Sequence, residues 1–160
     1  MERYNLIINN PLYQEYMNQI QEEEKNRTFC KHNIEHSLDV ARIAYIINLE
    51  KGLKFSKDLI YATALLHDLG RCAQYKDNTP HHKASAKIAY KILSECNYAE
   101  IEKALICDTI LNHSGDKDLL PDSFQWVFYQ GDKLSRQCSI CEEYHNCYWS
   151  EEMKNQRILY

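Results

Sequence analysis

A histidine and an aspartate stand side by side at the end of an apolar stretch of the sequence. The stretch covers residues 60–66, His67 and Asp68 follow it, and Gly70 comes shortly afterwards. Imidazole nitrogens and carboxylate oxygens are both metal ligands, and an ionised carboxylate is too costly to bury without cations or hydrogen-bond donors. We therefore expect a charged pair at a buried helix end, with Gly70 ending that helix in the left-handed region. Other parts of the chain must supply the partners of Asp68.

Four further segments each carry a residue of one of these two types. They contain His36, His81 or His82, His113 and Asp132. Imidazoles and carboxylates that converge from several helices on the core of a bundle form metal sites. A single histidine on an apolar face is more often a hydrogen-bonded core residue. Spacing alone therefore leaves both interpretations open for each of these residues.

The elements that must position these residues are predicted to be helices. The chain has only four glycines and three prolines, and its apolar residues recur at helical spacing rather than in long alternating runs. Asn10 and Ser56 are typical N-caps, and Gly52 and Gly115 are placed to stop helices. The predicted helices begin at Pro11 and, further on, cover about 31–51, 57–68, 81–96, 99–113 and 124–134.

Several local features complete this prediction of secondary structure. Residues 72–80 are predicted to form a polar loop, and the charged run at 22–25 is predicted to be a solvated helix end. The buried face of the fifth helix is expected to carry Ile101, Leu105 and Leu111. A short final helix is expected to close the chain.

The order of the polar residues resembles that of a known family. Three segments, His36-Ser-Leu-Asp-Val-Ala, Leu-Leu-His67-Asp68-Leu-Gly and Gly-Asp132-Lys-Leu, are similar to the three obligatory motifs of the HD superfamily of metal-dependent phosphohydrolases. The ordered set is far more specific than the His-Asp pair alone. The resemblance implies an all-α, HD-domain-like helical bundle with its core at 27–136, in a domain of residues 1–137. A cysteine-bearing tail at 138–160 would pack on this domain.

Two further segments resemble a narrower group, the bacterial symmetrical diadenosine tetraphosphate hydrolases. His81-His-Lys-Ala-Ser-Ala is similar to one of their histidine motifs, in a register that favours His81 over His82, and Asn-His113-Ser-Gly is similar to the last histidine of the binuclear members. The resemblance implies two metal ions. One would be held by His36, His67, Asp68 and Asp132, and Asp68 would bridge to a second that is also held by His81 and His113.

The implied ligands indicate the metal and the reaction. Mixed nitrogen and carboxylate ligands suit divalent Fe, Mn, Co or Zn better than Mg or Ca. Two such ions could lower the pKa of a shared water toward neutrality, which would supply a hydroxide for attack on phosphorus, so no covalent enzyme nucleophile would be required. The predicted catalytic residues are Asp68, Lys133 and Arg71, the two cations being placed to meet phosphate oxygens. An exposed, salt-bridged Arg71 is an equally open interpretation. Further candidates for phosphate contacts are Arg27, Lys83 and Arg136.

His32 precedes His36 by four residues, so both would face the same side of the second predicted helix. A pair at this spacing could chelate a metal by itself. Because the resemblance assigns the ligand role to His36, we predict that His32 either supports the site from behind the ligands or lies on the surface.

Three cysteines, Cys138, Cys141 and Cys147, lie close together near the end of the chain. A Cys-x-x-Cys pair commonly binds zinc or an iron–sulfur cluster, and a fourth ligand here would be His145 or the distant Cys30. Three reduced thiols in a mobile tail are the alternative.

Composition sets the remaining expectations. A chain of 160 residues, 44% of them hydrophobic, is typical of one domain, and the net charge of -4 gives no sign of a basic nucleic-acid-binding face. We expect a cytoplasmic protein with no membrane span and no specific nucleic-acid partner; an oligomer is left open. Its seven cysteines favour free thiols or metal ligands over disulfides. Cys72, Cys96 and Cys107 are interpreted as small apolar residues.

The expected partner is a small phosphorylated substrate, a nucleotide by preference, and the expected function is its hydrolysis. Dinucleoside polyphosphates are the first candidate substrates because of the resemblance at His81 and His113. A non-catalytic HD module that senses nucleotides or metals is the alternative, and a diiron oxygenase similar to inositol oxygenase is a further one. The complete ligand set favours hydrolysis, because a binding module has little need for both buried carboxylates.

Overall fold

A computed structural model describes residues 2–114 and 118–160, and its described residues form helices, turns and loops without any strand. The prediction of an all-α fold is confirmed. The helices are α1 (Tyr4–Ile8), α2 (Pro11–Glu23), α3 (Ile34–Glu50), α4 (Lys57–Leu66), α5 (Arg71–Asp77), α6 (His81–Glu95), α7 (Glu100–Asn112) and α8 (Phe124–Leu134). A single 3-10 turn, Cys138–Ile140, begins the tail. No helix in the described ranges is long and apolar enough to cross a membrane.

The bundle is organised around α3 and α4. Helix α3 packs on α8 and α4, and α6 packs on α7. A large apolar cluster joins α1, α2 and α4 to α6 and α7, with fully buried members such as Ile7, Leu65 and Ile106. Smaller clusters around Ile47 and Phe128 join α3 and α4 to α8. Each fully buried aliphatic or aromatic side chain contributes about 1.5–3 kcal/mol, so these contacts fix the relative positions of the helix ends.

Polar caps determine where several helices begin. The side chains of Asn10 and Ser56 accept backbone hydrogen bonds at the starts of α2 and α4, as predicted. The side chain of Asn33 accepts a hydrogen bond from His36 N at 3.0 Å, so α3 begins at Ile34 rather than at residue 31. His32 therefore precedes the helix that carries His36, and the prediction that one helix carries both was wrong.

Four details of the predicted secondary structure were wrong. Residues 72–80 are not a loop, because α5 occupies most of them and ends at Asn78 in the left-handed conformation. The sequence analysis missed the short helix α1, and residues 148–160 contain no closing helix. In α7, Ile101 is 80% exposed while Ile106 and Ile110 are buried. Apolar residues occur on several sides of α7, so periodicity alone selected the wrong face.

Two glycines allow helices to approach one another closely near the predicted site. A Cβ atom on Gly70 would lie 2.5 Å from Ser85 N and nearer still to His81 O, and one on Gly131 would lie 2.7 Å from Ala44 Cβ. Gly70 has φ −75°, so the prediction that it ends a helix in the left-handed region was wrong. Gly52 does have positive φ and stops α3, and Gly115, the predicted stop of the fifth helix, lies outside the described residues.

Candidate metal centre

The six predicted metal ligands meet at one end of the bundle. They come from five segments: His36 lies in the first turn of α3, His67 and Asp68 follow α4, His81 begins α6, His113 caps the C terminus of α7, and Asp132 lies in α8. All six side chains are buried. The ring of His82 packs edge-on against the ring of His81. Residues that are distant in sequence thus form one polar cluster inside an apolar bundle.

Asp68 lies at the middle of this cluster and faces a different pair of histidines with each oxygen. Its Oδ2 atom lies 3.0 Å from His67 Nε2 and 3.6 Å from His36 Nε2. Its Oδ1 atom lies 3.7 Å from His81 Nε2 and 3.8 Å from His113 Nε2. A carboxylate in this arrangement is positioned to bridge two cations.

Asp132 completes the first of these two groups. Its Oδ1 atom lies 3.5 Å from His36 Nε2 and 3.7 Å from His67 Nε2. The groups His36, His67 and Asp132, and His67, Asp68 and His113, each offer three ligand atoms that lie within 4.8 Å of one another. Each could hold a metal ion.

Hydrogen bonds behind the rings fix which nitrogen faces the carboxylates. His67 Nδ1 donates to Ala64 O at 2.7 Å, and His113 Nδ1 donates to Ile110 O at 2.6 Å. A carbonyl only accepts hydrogen bonds, so the proton of each neutral ring lies on Nδ1 and Nε2 presents a lone pair. Metal-binding histidines are commonly oriented in this way, by a hydrogen bond from the ring nitrogen that does not bind the metal.

His36 is oriented by a hydroxyl instead of a carbonyl. Its Nδ1 atom lies 3.3 Å from Ser135 Oγ, and that hydroxyl donates to Asp132 O at 2.7 Å. Because the hydroxyl proton is already used, Ser135 Oγ can accept from His36 Nδ1. The Nε2 atom of His36 therefore also faces the carboxylates with a lone pair when the ring is neutral.

One buried atom tests whether these residues suit a cation. His67 Nε2 is buried without a hydrogen-bond partner, although Asp68 Oδ2 lies 3.0 Å away. A lone pair that faces a carboxylate repels it, and an unpaired buried polar atom costs about 1–3 kcal/mol. A positive ion between the nitrogen and the oxygens would remove both penalties, so the donor set fits a metal ion.

The two carboxylates are held in their charged forms. Burial by itself would raise the pKa of Asp68, but its electrostatic interactions with His67 and Arg71 hold this pKa well below its usual value. Burial would likewise raise the pKa of Asp132, and its hydrogen bond with His36 contributes most to holding that pKa well below the usual value. Both groups are therefore charged near neutral pH and available as ligands.

The pKa values of two of the histidines shift in opposite directions. Burial, followed by the positive charge of Arg71, lowers the pKa of His81 to about 3, so this ring is neutral near pH 7. Burial would also lower the pKa of His36, but hydrogen bonds with Asp132 and Asp68 raise it above its usual value. A proton on His36 balances the carboxylates, and metal binding in such sites displaces protons of this kind.

Comparison with known proteins identifies the family. Residues 33–151 match the family model of the HD domain. The chain belongs to the HD domain family. It is 44% identical to an uncharacterized protein of Clostridium beijerinckii, over 100% of both chains. Its fold is similar to the crystal structure of a predicted HD superfamily hydrolase from an uncultured Thermotogales bacterium, with a TM-score of 0.62 and 20% identity, covering 88% of this chain and 80% of that one.

HD domains bind divalent metals, and the two histidine and carboxylate groups could hold such ions here. The resemblance seen in the sequence is confirmed for the HD superfamily. The narrower likeness to the diadenosine tetraphosphate hydrolases stays a prediction, as do the identity and number of the ions.

We call the cluster of the six candidate ligands the HD centre; its members are His36, His67, Asp68, His81, His113 and Asp132. A pocket of about 320 Å³ opens onto the HD centre and is rich in positive charge. Its cationic lining residues are Arg27, Arg71, Lys133 and Arg136. Arg71 Nε donates to Asp68 Oδ1 at 3.0 Å, and Lys133 Nζ donates to Asp132 Oδ2 at 3.1 Å. Arg71 thus forms a salt bridge inside the pocket rather than on the surface. Exposed Lys83 lines a separate groove beside Tyr90.

Sequence reasoning missed the residues that stand behind the centre. Glu24 was assigned to a solvated helix end, but it is only 3% exposed and accepts a hydrogen bond from His32 N at 2.7 Å. Its carboxylate also contacts His32 Nδ1 and accepts a hydrogen bond from Tyr75 Oη. His32 Nε2 in turn lies 4.0 Å from Asp68 Oδ2. Of the two positions predicted for His32, the one behind the ligands is the one observed.

The glutamate was missed because a charged run at a helix end is usually solvated. Two neighbours of Glu24 in that run, Glu22 and Lys25, are exposed and pair with each other. Burial by itself would raise the pKa of Glu24, but its contacts with His32 lower it to about 2. The signal in the sequence was indirect: a buried histidine at position 32 requires an acceptor.

Proposed function

We propose that this HD-domain protein is a metal-dependent phosphohydrolase that acts on a nucleotide or another small phosphate ester or anhydride. One observation carries the proposal. The two oxygens of Asp68 face two separate pairs of histidine Nε2 atoms, while guanidinium and ammonium groups line the pocket in front of them. This combination suits a reaction in which a negatively charged phosphate is held beside the proposed metal ligands.

The proposed ligand sets follow the division at Asp68. His36, His67, Asp68 and Asp132 would hold one divalent transition-metal ion, and Asp68, His81 and His113 would hold a second. Fe, Mn, Co and Zn suit these nitrogen and oxygen donors. When bound, two such ions supply Lewis acidity and lower the pKa of a shared water.

The chain's own cations have the task of binding and orienting the phosphate. Lys133 Nζ is tethered to Asp132 Oδ2 and Arg71 to Asp68 Oδ1, so both charges lie beside the proposed ligands. Arg136 Nη2 lies 3.1 Å from His36 Nε2 at the same pocket. Phosphoryl transfer depends mainly on positioning and charge neutralisation, which these three groups can provide without a covalent nucleophile.

The pocket favours a small substrate with an aromatic part. Its volume of about 320 Å³ lies at the low end of the range for small-molecule sites. Phe29, Tyr148 and Trp149 line it together with the cations, and Tyr148 is 88% exposed. Aromatic side chains stack on nucleobases. Dinucleoside polyphosphates are our first candidates, because one base could stack on these rings while the phosphates meet the cations.

A substrate panel tests the proposal. The purified protein, loaded with Mn²⁺ or Fe²⁺, is incubated with dinucleoside polyphosphates, cyclic dinucleotides, nucleoside monophosphates and simple phosphate esters, and phosphate release is measured. We expect hydrolysis of at least one class, its loss in Asp68→Asn, and its retention in Asp39→Asn, a control carboxylate that is half exposed on α3. Tight nucleotide binding without turnover would replace the proposal with a sensing role.

A further inference from the structure

The tail needs an explanation that the HD centre does not provide. Residues 138–160 are all described, yet only Cys138 and Lys154 among them are buried. The apolar clusters of the bundle include no residue of this segment. Its regular structure is one 3-10 turn. A segment that buries so little apolar surface cannot offset its conformational entropy by packing, so its order requires another source.

Three of the chain's cysteines lie in this tail, two of them in a tight turn. Cys141 N donates to Cys138 O at 3.1 Å, which closes the Cys-x-x-Cys segment into one turn. Cys147 follows after a series of turns, and Cys141 and Cys147 are both half-buried. All three are free thiols. A turn of this kind brings two thiols to the same side of the backbone, as zinc-binding Cys-x-x-Cys segments require.

A fourth cysteine reaches the tail from the other end of the chain. Cys30 lies in the loop before α3, and it lines the same pocket as Tyr148 and Trp149, which follow Cys147 directly. Hydrogen bonds join the two regions: Arg136 donates to Lys31 O at 3.0 Å, and Asn155 donates to Arg136 O at 2.8 Å.

The Cys138 thiol lies close enough to the other three to be affected by them electrostatically. Burial raises the pKa of the Cys138 thiol, and the proximity of Cys30, Cys147 and Cys141 raises it further. Such an influence requires the four groups to be neighbours. Thiolates are the form in which cysteines bind zinc, so neighbouring thiols can share one such ion.

We propose that Cys30, Cys138, Cys141 and Cys147 bind one structural Zn²⁺ ion. Four thiolates complete the tetrahedral shell that zinc prefers in closed sites, and no water position is needed. Binding releases the thiol protons to solvent and changes no oxidation state. Zinc is favoured over an iron–sulfur cluster because the thiols suffice for it, whereas a cluster would need inorganic sulfide as well.

Binding is expected to draw the cysteine segments together. No three of the four sulfur atoms lie within 4.8 Å of one another, in contrast to the donors of the HD centre. The ion would therefore clamp the loop before α3 to the tail and fix Tyr148 and Trp149 at the pocket. The site shares no ligand with the HD centre, so zinc binding can be tested separately from the proposed hydrolysis.

Cobalt substitution of the full-length protein tests the proposal directly. Thiolate ligands give bound Co²⁺ intense sulfur-to-metal charge-transfer absorption in the near ultraviolet, whereas histidine and carboxylate ligands do not. We expect this absorption in the wild-type protein, and its loss or marked reduction in Cys141→Ser and Cys30→Ser. The matched control Cys107→Ser, a half-buried thiol in α7, should retain it.

The metal content of the purified proteins gives the second readout. One zinc ion per chain should disappear in Cys141→Ser and Cys30→Ser relative to Cys107→Ser, and His145→Ala should keep it. Retention in Cys30→Ser together with loss in His145→Ala would overturn the proposed ligand set. Iron with acid-labile sulfide would overturn zinc. If a variant does not fold, the absence of charge-transfer absorption from cobalt-loaded wild-type protein would still refute the site.

Discussion

Replacing Gly70 with alanine tests how the fold positions His81 relative to Asp68 in the HD centre. Gly70 has φ −75°, a conformation that alanine adopts freely, so backbone preference alone would stabilise the variant by about 0.4–1 kcal/mol. The added methyl group, however, would lie 2.5 Å from Ser85 N and 2.8 Å from Ala84 Cβ. Helix α6 would have to move away from the turn that carries Asp68.

The size of the effect follows from these contacts. Overpacking of this kind costs about 1–3 kcal/mol. The movement would also weaken the hydrogen bond from Gly70 N to Ser85 Oγ, which measures 2.8 Å and is worth about 0.5–1.5 kcal/mol. We expect Gly70→Ala to lower the free energy of unfolding by about 1–4 kcal/mol. Because His81 begins α6, Gly70→Ala should also weaken binding of the proposed second ion more than binding of the proposed first ion.

Urea denaturation in the presence of a chelator measures the change in the free energy of unfolding. Calorimetric titration with Mn²⁺ measures the change in metal affinity. Gly52→Ala is the control, because Gly52 has φ +65° and open space around it, so it suffers backbone strain without a steric clash. Gly52→Ala should lose stability without any change in metal affinity. If Gly70→Ala were as stable as wild type and bound both ions normally, close approach would not explain this glycine.

Three further predictions concern the surroundings of the centre. Because the pKa of Glu24 is lowered to about 2, its charged form stabilises the metal-free protein above the usual pKa of about 4.5, and this stabilisation is lost as the pH falls toward 2. Glu24→Gln should reduce the change in the free energy of unfolding over this pH range, measured by urea denaturation, by on the order of 2–3 kcal/mol. An unchanged pH dependence would contradict the role of Glu24. Lys133→Met keeps the apolar stem but removes the charge beside Asp132, so kcat/KM for an identified substrate should fall about 10- to 150-fold, and an unchanged value would exclude a phosphate contact. Trp149→Ala should weaken nucleotide binding by about 1–3 kcal/mol in a binding titration, whereas the tail control Tyr160→Ala should not; equal effects would argue against stacking.

The sequence indicated which residues form the cluster more readily than it indicated which residues position them. Histidines and aspartates are rare enough on apolar helix faces that His36, Asp68 and Asp132 could be selected, and family resemblance joined them across the chain. Their convergence depends on long-range packing of α3, α4 and α8, which periodicity within one helix does not specify. The close approaches at Gly70 and Gly131 depend on neighbouring helices and could not be inferred from local pattern.

The errors have a common physical origin. Glu24 was assigned to solvent because its neighbours are charged, and Ile101 was assigned to the core because it is apolar, yet tertiary contacts reverse both assignments. Helix α5 was taken for a loop because its sequence is polar and short, although its first turn directly follows the His67 and Asp68 turn. The residue types of a segment indicate which environments it can occupy, whereas contacts with the rest of the fold determine whether each side chain is buried or exposed.

Anomalous scattering from crystals grown with Mn²⁺ would test the central claim most directly. We predict two peaks, one beside each oxygen of Asp68, about 3.5–4 Å apart as in other two-metal sites. The first should lie within bonding distance of His36, His67 and Asp132, and the second near His81 and His113. Crystals that contain bound Mn²⁺ elsewhere, with no peak next to Asp68 or Asp132, would contradict the account.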